Sequence, residues 1–337
     1  MHCITTNAIG TIALSSAIDG TIALWDLTPF ATTAAADTNE NQAAEAEAVS
    51  EEPTLLPLPV EDAGKLIIGS IDSLTSASTA QAKLSEAWKT ALHPTLPVFA
   101  SVGAGATVSL HSFPPGEDAS FGATLSVASL PSSLAKQKDL FGLSLAFHSS
   151  GTLLAVGTNT GAVLLYTLSS NGSDLHLACT YADHPSPVRA LSFTPHLLLV
   201  GSDDRTVSVH DIKPILSPTQ SSLISGETRI GGTVASLSGH KGWLLALAAT
   251  PVAEDVFASV GADKSIKFWD LASATKSTPV WNGSEVKTIR AFAFQPSPAA
   301  KGSEEVPGSG SGRGSMTRFV TASEDGRLRW YRGAGLG

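Results

Sequence analysis

The chain has 337 residues, of which 42% are hydrophobic, 15% charged and 30 glycine, the make-up of many short strands joined by tight turns. Its net charge of −9 is uneven: residues 28–64 hold no Lys or Arg but eight acids, Asp37, Glu40, Glu45, Glu47, Glu51, Glu52, Glu61 and Asp62. The remainder is close to neutral, with no basic stripe to neutralise phosphates, which excludes direct nucleic-acid binding from the expectations.

Two cysteines, Cys3 and Cys179, are too few for a disulfide framework, and the sequence reads without a signal peptide or an apolar run of 18 residues. The expected setting is a reducing compartment, the cytoplasm with the nucleus as a second location, and no membrane.

In chain order, one pattern recurs six times, at spacings of roughly 45–60 residues. Each copy offers an inner strand, two middle strands joined by a turn with an Asp anchor, an aromatic anchor six residues later, and an outer strand. The first copy begins at Met1–Thr6, carries Asp19 and Trp25 in ALSSAIDGTIALWDL, and resumes after residues 28–64 with LIIGSID. The second opens with EAWKTALHP, places Gly105 and His111 at the anchors, and closes with ATLSVASL. The third has FGLSLAFHSSG, then Thr160 and Tyr166, then LHLACTY. The fourth has VRALSFTP, then Asp204 and His210, preceded by Asp183-His184, and closes with TVASLSGH. The fifth runs SGHKGWLLALAATPVAEDVFASVGADKSIKFWDL and continues to STPVWNG. The sixth has IRAFAFQP, then Asp325 and Tyr331, after which only RGAGLG remains.

Three stretches interrupt this order. Residues 28–64 are expected to be a disordered acidic insertion, residues 297–315 a flexible loop insertion, and Pro214 to Gly232 a shorter one. None breaks the repeats, so residues 1–337 read as a single domain.

The fifth copy is the clearest. Its Gly239-His240 pair, Ser259, Asp263 and Trp269-Asp270 are spaced so that buried side-chain hydrogen bonds can tie the outer loop to the middle strands. A His, Ser and Asp in one repeat could also make a hydrolase triad, but no G-x-S-x-G elbow accompanies them, and the structural role is preferred. His111 and His210 read as packed aromatic substitutes, since neither has a second ligand at metal spacing. No cofactor or metal is expected.

These residues resemble the WD-repeat family, with Gly239-His240 and Trp269-Asp270 in the places of its two signature dipeptides. The resemblance implies an all-β, WD-repeat β-propeller: six recognisable blades of a seven-bladed family fold, the last without its outer strand. Rings of this kind close with a strand borrowed from the other end of the chain. Because Met1–Thr6 already reads as an inner strand, either the ring closes with six blades or the chain lacks an N-terminal segment carrying the borrowed strand and a further blade; the second is the expectation.

Within that family the segments PVRALSFTPHLLLVGSDDRTVSVHDI, LSGHKGWLLALAATPVAEDVFASVGADKSIKFWDL and FGLSLAFHSSGTLLAVGTNTGAVLLYTL, together with the final FVTASEDGRLRWYRGAG and with EAWKTALHP, are similar to the WD-repeat subunits of superkiller (Ski) complexes. This resemblance implies a non-enzymatic scaffold that docks on a tetratricopeptide-repeat subunit and an RNA helicase. Such an assembly supports 3′ to 5′ mRNA decay by the exosome, with a second role in meiotic recombination. The alternative is an adaptor of another assembly: chromatin, a Paf-type transcription complex or a ubiquitin ligase. The expected partner rim comprises the residues entering the inner strands: Glu86 and Trp88, Phe141, Pro187 and Arg189, Trp243, and Thr288 and Arg290. The expected structural network is His240, Ser259, Asp263 and Trp269.

Overall fold

The computed structural model describes residues 3–7, 10–17, 20–27, 67–72, 87–113, 122–134, 139–216, 229–230, 233–250, 255–272, 278–295 and 318–332. The insertions at 28–64 and 297–315 lie outside them. Among these residues six sheets, antiparallel in all their repeat strands, follow one another in a propeller arrangement.

Blade 1 is β1 (Cys3–Thr6), β2 (Ile12–Ser16), β3 (Thr21–Asp26) and β4 (Ile67–Asp72), and blade 2 is β5 (Ala87–Leu92), β6 (Val98–Gly103), β7 (Thr107–Ser112) and β8 (Thr124–Ser129). Blade 3 holds β9 (Gly142–Phe147), β10 (Leu153–Thr158), β11 (Val163–Leu168) and β12 (Leu175–Tyr181). Blade 4 starts with β13 (Val188–Phe193), β14 (Leu197–Ser202) and β15 (Thr206–Asp211). A short helix, α1 (Lys213–Leu216), and β16 (Arg229–Ile230) then precede its outer strand, β17 (Thr233–Ser238). Blade 5 is β18 (Leu244–Ala249), β19 (Val256–Gly261), β20 (Ser265–Asp270) and β21 (Trp281–Ser284). Blade 6 has three strands among the described residues, β22 (Ile289–Phe294), β23 (Arg318–Ser323) and β24 (Leu328–Arg332).

The residue pattern follows each strand's place. Middle strands such as β10 (LLAVGT) and β14 (LLLVGS) are apolar on both faces because a blade lies on either side of them, and β10 is buried throughout. Outer strands such as β8 and β17 alternate, with one face on a neighbour and the other in water.

Five buried apolar clusters bind adjacent blades. Leu14, Ile22 and Leu24 of blade 1 meet Phe99 of blade 2, and Val102 and Leu110 meet Leu145 and Tyr166 of blade 3. Leu165 and Tyr181 meet Val200 of blade 4, Leu199 and Val207 meet Phe257 and Trp269 of blade 5, and Phe268 meets Ile289 and Phe319 of blade 6. Blade 6 faces Thr6 of blade 1 across a cleft of about 800 Å³.

All six hairpins between the second and third strands turn through a left-handed residue immediately after the Asp-anchor position. It is Gly20, Gly161 and Gly326 in blades 1, 3 and 6, and Ala106, Arg205 and Lys264 in blades 2, 4 and 5. At Gly161 a Cβ would lie 2.0 Å from the His184 carbonyl oxygen of the next blade. Gly161→Ala is therefore expected to lower the melting temperature through both strain and that clash. Ala106→Gly, at the equivalent turn, is expected to raise stability by about 1 kcal/mol. Thermal unfolding of the two variants, followed by circular dichroism, checks both signs.

The shorter insertion contributes a feature that the repeat pattern did not foretell. Its β16 adds in parallel to the outer edge of blade 3, with Cys179 opposite Arg229 and Thr180 opposite Ile230, giving that blade a fifth strand.

Histidines at the ends of the inner strands clamp one blade to the next. His93 Nδ1 accepts from the Thr95 and Leu96 amides while Nε2 lies 3.0 Å from the Gly151 carbonyl. His148 repeats this with the Ser150 amide and the Pro195 carbonyl, at 3.1 and 3.2 Å. Burial lowers both pKa values against the opposing pull of those carbonyls. Burial also pushes His111, stacked on Phe99, down to about 4.

Because these rings bind protons less readily when folded, the unfolded chain takes up more protons below its own histidine pKa near 6.5. Stability present at neutral pH is thus lost as pH falls from about 6.5 toward the folded values. The melting temperature is expected to drop between pH 7.5 and 5, and His111→Gln should remove about 2 kcal/mol of that dependence. A flat profile across this range would contradict the assignment.

Candidate protein-interaction site

Four blades share one backbone bond that sets the rim around the inner strands. The residue after each second strand donates its amide to the entry residue of the same blade's inner strand: Asn159 to Phe141, Asp203 to Pro187, Ala262 to Trp243 and Glu324 to Thr288. Entry residues are thereby held at one level from blade to blade.

On this frame the second residue of one inner strand meets the entry residue of the next blade, twice over. Trp88 of β5 stands edge-on to Phe141, with ring centroids 4.8 Å apart and planes at 86°. The guanidinium of Arg189 in β13 lies 5.8 Å from the ring centroid of Trp243. Trp243 is 55% exposed, an unusual state for so large an apolar ring.

Both rim arginines are fixed by a carboxylate from the turn of their own blade. Arg189 Nε donates to both oxygens of Asp203, at 2.8 and 2.9 Å. Arg290 Nε donates to Glu324 at 2.8 Å, and its Nη2 also bonds that carboxylate. The Thr288 and Arg290 contacts hold the Glu324 carboxyl below the usual range. A guanidinium already oriented over an indole loses little freedom when it binds, which is the property of an interface anchor.

The structure thus brings together Trp88 with Phe141, and Arg189 with Trp243, and places Arg290 in the equivalent position of blade 6. Glu86 lies outside the described residues. Asp203 and Glu324, the carboxylates that orient the arginines, were not singled out in the sequence. The signal for them was present, as each directly precedes the Asp anchor of its turn.

The buried network beneath the rim fastens the blades. In blade 5 the Asp263 carboxylate accepts from His240 Nδ1 at 3.0 Å and from the Lys241 amide at 2.8 Å. His240 Nε2 lies 2.7 Å from Ser259 Oγ, which accepts the Trp269 indole N–H at 2.7 Å. Burial pushes the Asp263 carboxyl up, but the bonds from His240, Lys241 and Ser265 outweigh it and hold the pKa well below the usual range. Ser259 is wholly buried and engaged on two sides, so this trio has no open face toward a substrate.

Blade 4 builds the same device from Asp183-His184. His184 Nδ1 lies 2.6 Å from Asp204, and its Nε2 2.7 Å from Ser208, which in turn lies 2.8 Å from His210 Nε2. His111 takes the tryptophan's part in blade 2, 3.0 Å from Ser101, and Trp25 itself donates to Ser15 at 2.8 Å in blade 1. Blade 6 replaces the histidine with Glu285, four residues before its inner strand as His240 is before β18. Two carboxylates, Glu285 and Asp325, would then repel, and Arg329 bridges them while Thr321 and Tyr331 donate to Glu285. Among the described residues no three His, Cys, Asp or Glu side chains are placed to hold a metal ion.

Residues 176–211 and 231–270 match the family model described as WD domain, G-beta repeat. The matched segments run from the outer strand of blade 3 through β15, and from the outer strand of blade 4 through β20. With the six-bladed propeller, the match supports a place in the WD-repeat family. No curated protein matches the chain.

Proposed function

We propose, from a six-bladed propeller carrying WD40 repeats, that this chain is a non-catalytic protein-interaction scaffold whose rim residues Trp88, Phe141, Arg189, Trp243 and Arg290 hold a short segment of a partner. The single observation that carries the reading is Arg189, oriented by Asp203 and held 5.8 Å over the ring of an exposed Trp243. Aromatic and arginine anchors of this kind dominate binding energy in protein interfaces, and guanidinium groups suit carboxylate or amide groups of an incoming peptide.

The more specific reading is the WD-repeat subunit of a Ski complex. Its support is the likeness to such subunits of three segments in blades 3, 4 and 5, joined by EAWKTALHP in blade 2 and by the final block of blade 6. The chain then docks on a tetratricopeptide-repeat subunit that also carries an RNA helicase, in the cytoplasm, and supports exosome-mediated 3′ to 5′ mRNA decay. A second pool in the nucleus serves meiotic recombination. The chain itself supplies no contact to RNA, and the reactions belong to its partners.

Affinity purification of the tagged protein from its own cells, followed by mass spectrometry, tests this assignment. Recovery of a helicase together with a tetratricopeptide-repeat protein is the expected result. Cullin, Paf-type or histone-modifying partners would leave the scaffold reading standing and overturn the Ski assignment.

A further inference from the structure

Several loops meet around Trp243, and backbone bonds join them into one surface. The Ala262 amide donates to the Trp243 carbonyl and the Lys241 amide to the Asp263 carboxylate, which ties the turn at 262–264 to the segment entering β18. The Glu285 amide donates to the Lys264 carbonyl, which adds the segment entering β22. In blade 4 the Asp203 amide donates to the Pro187 carbonyl, and Arg189 reaches from that corner to the Trp243 ring. The surface thus runs without a break over blades 4, 5 and 6.

Its charge runs against that of the chain, whose net charge is −9. Arg205, Lys241, Lys264 and Lys287 are exposed on these loops, and among the described residues no carboxylate is bonded to any of their side chains. The acids of the same loops are turned to other work. Asp204 and Asp263 are taken up by His184 and His240, Asp203 by Arg189, and Glu324 by Arg290. Between the cations lie two exposed apolar side chains, Trp243 at 55% and Val286 at 72%. The cations come from separate loops and never adjoin in sequence, so a search for a basic run passes over them.

We infer that the partner segment held at this rim is acidic, with carboxylates on both sides of one apolar residue, and that Arg205, Lys241, Lys264 and Lys287 select it. The inference rests on the rim being the docking face, as proposed above, and adds the chemistry of what docks there. Two kinds of cation divide the task. Arg189 and Arg290 are each paired with a carboxylate of their own blade and act by shape at the indole and the strand entry. The four unpaired cations supply the net field that draws in an anionic chain and rejects a cationic one. The apolar residue of the segment seats on Trp243 beside Val286, where exposed apolar surface is otherwise left in water. A nucleic acid fits this face less well, because Asp183 and Glu324 stand part-exposed among the cations and repel phosphates, and Trp243 offers a single platform for a base.

The probe is a fluorescein-labelled nine-residue peptide with leucine at its centre and glutamate elsewhere, titrated with the full chain and read by fluorescence anisotropy. Saturable binding that weakens as salt rises is expected, and the same peptide with glutamine for glutamate should bind at least tenfold more weakly. The Lys241→Glu, Lys287→Glu variant is expected to lose the glutamate peptide by at least tenfold and to gain the peptide with lysine for glutamate, a gain that only a folded protein can show. Four outcomes each overturn the inference: no saturable binding, equal binding of the glutamine peptide, full affinity in the charge-reversed variant, or an oligothymidylate bound as tightly as the glutamate peptide. Titration of the partner recovered from cells separates this inference from the reading beneath it. If Arg189→Ala with Trp243→Ala weakens that partner while the charge reversal leaves it at full affinity, the docking rim stands and the acidic segment falls. Full affinity in both variants removes the rim as well.

Discussion

Trp269→Ala is expected to destabilise the protein by about 3–5 kcal/mol, the range for removing a large aromatic side chain from a close-packed core. The indole is buried, stacks on Phe257 at 6.2 Å and packs with Leu199, Val207 and Leu244 between blades 4 and 5. Its removal opens a cavity and also takes the N–H donor from Ser259, loosening the link through His240 to Asp263. Trp269→Phe separates the two effects: it keeps most of the packing, loses the hydrogen bond, and should cost roughly 1–2 kcal/mol beyond the volume change. Trp25→Ala, where the ring is only half-buried, is expected to cost less. Chemical denaturation monitored by circular dichroism gives the three values, and equal losses for Trp25 and Trp269 would contradict the ranking.

Replacing Trp243 and Arg189 together by alanine is expected to weaken partner binding by roughly a thousandfold. Interface anchors of these residue types each contribute about 2 kcal/mol or more, and two of them give about 4 kcal/mol. Trp243 is more than half exposed and Arg189 is half-buried at the rim, so the folded state loses little. Asp203→Ala is the informative companion. It leaves the guanidinium charge and the indole in place but frees the arginine from its orienting carboxylate, so it should weaken binding by about tenfold through lost pre-organisation. Isothermal titration against the recovered partner measures all three. Full affinity in the double variant, with an unchanged melting curve, would remove the rim from the account.

Much of this fold was legible because a propeller repeats one physical unit. The Asp-turn and the aromatic six residues later gave the register of every blade, and in the structure Trp25, His111, Tyr166, His210, Trp269 and Tyr331 all stand opposite the second position of their second strand or its equivalent. The register survived the loss of Asp in blades 2 and 3 because the strands, not the anchor side chain, set it.

What the repeat could not convey was anything peculiar to one blade. The Glu285–Arg329–Asp325 bridge was invisible to a search for Gly-His because a carboxylate stands in the histidine's place and an arginine rebuilds the link, which erases the motif. The fifth strand at Arg229 and Ile230 was illegible for a different reason: two residues carry no periodicity. At the rim, the entry residues could be aligned by counting, but the pairing of Trp88 with Phe141 and of Arg189 with Trp243 depends on the rotation from blade to blade, which only the fold supplies. His93 and His148 were likewise unremarked, being lone histidines at strand ends whose role as inter-blade clamps needs the neighbouring carbonyl.

The most direct measurement of the central claim is amide hydrogen exchange of the protein with and without the partner recovered from its own cells. The account predicts slowed exchange at the entries to the inner strands, around Trp88, Phe141, Arg189, Trp243 and Arg290, in several blades at once. Protection confined to outer strands such as β8 and β17, with the rim exchanging as it does in the free protein, would contradict it.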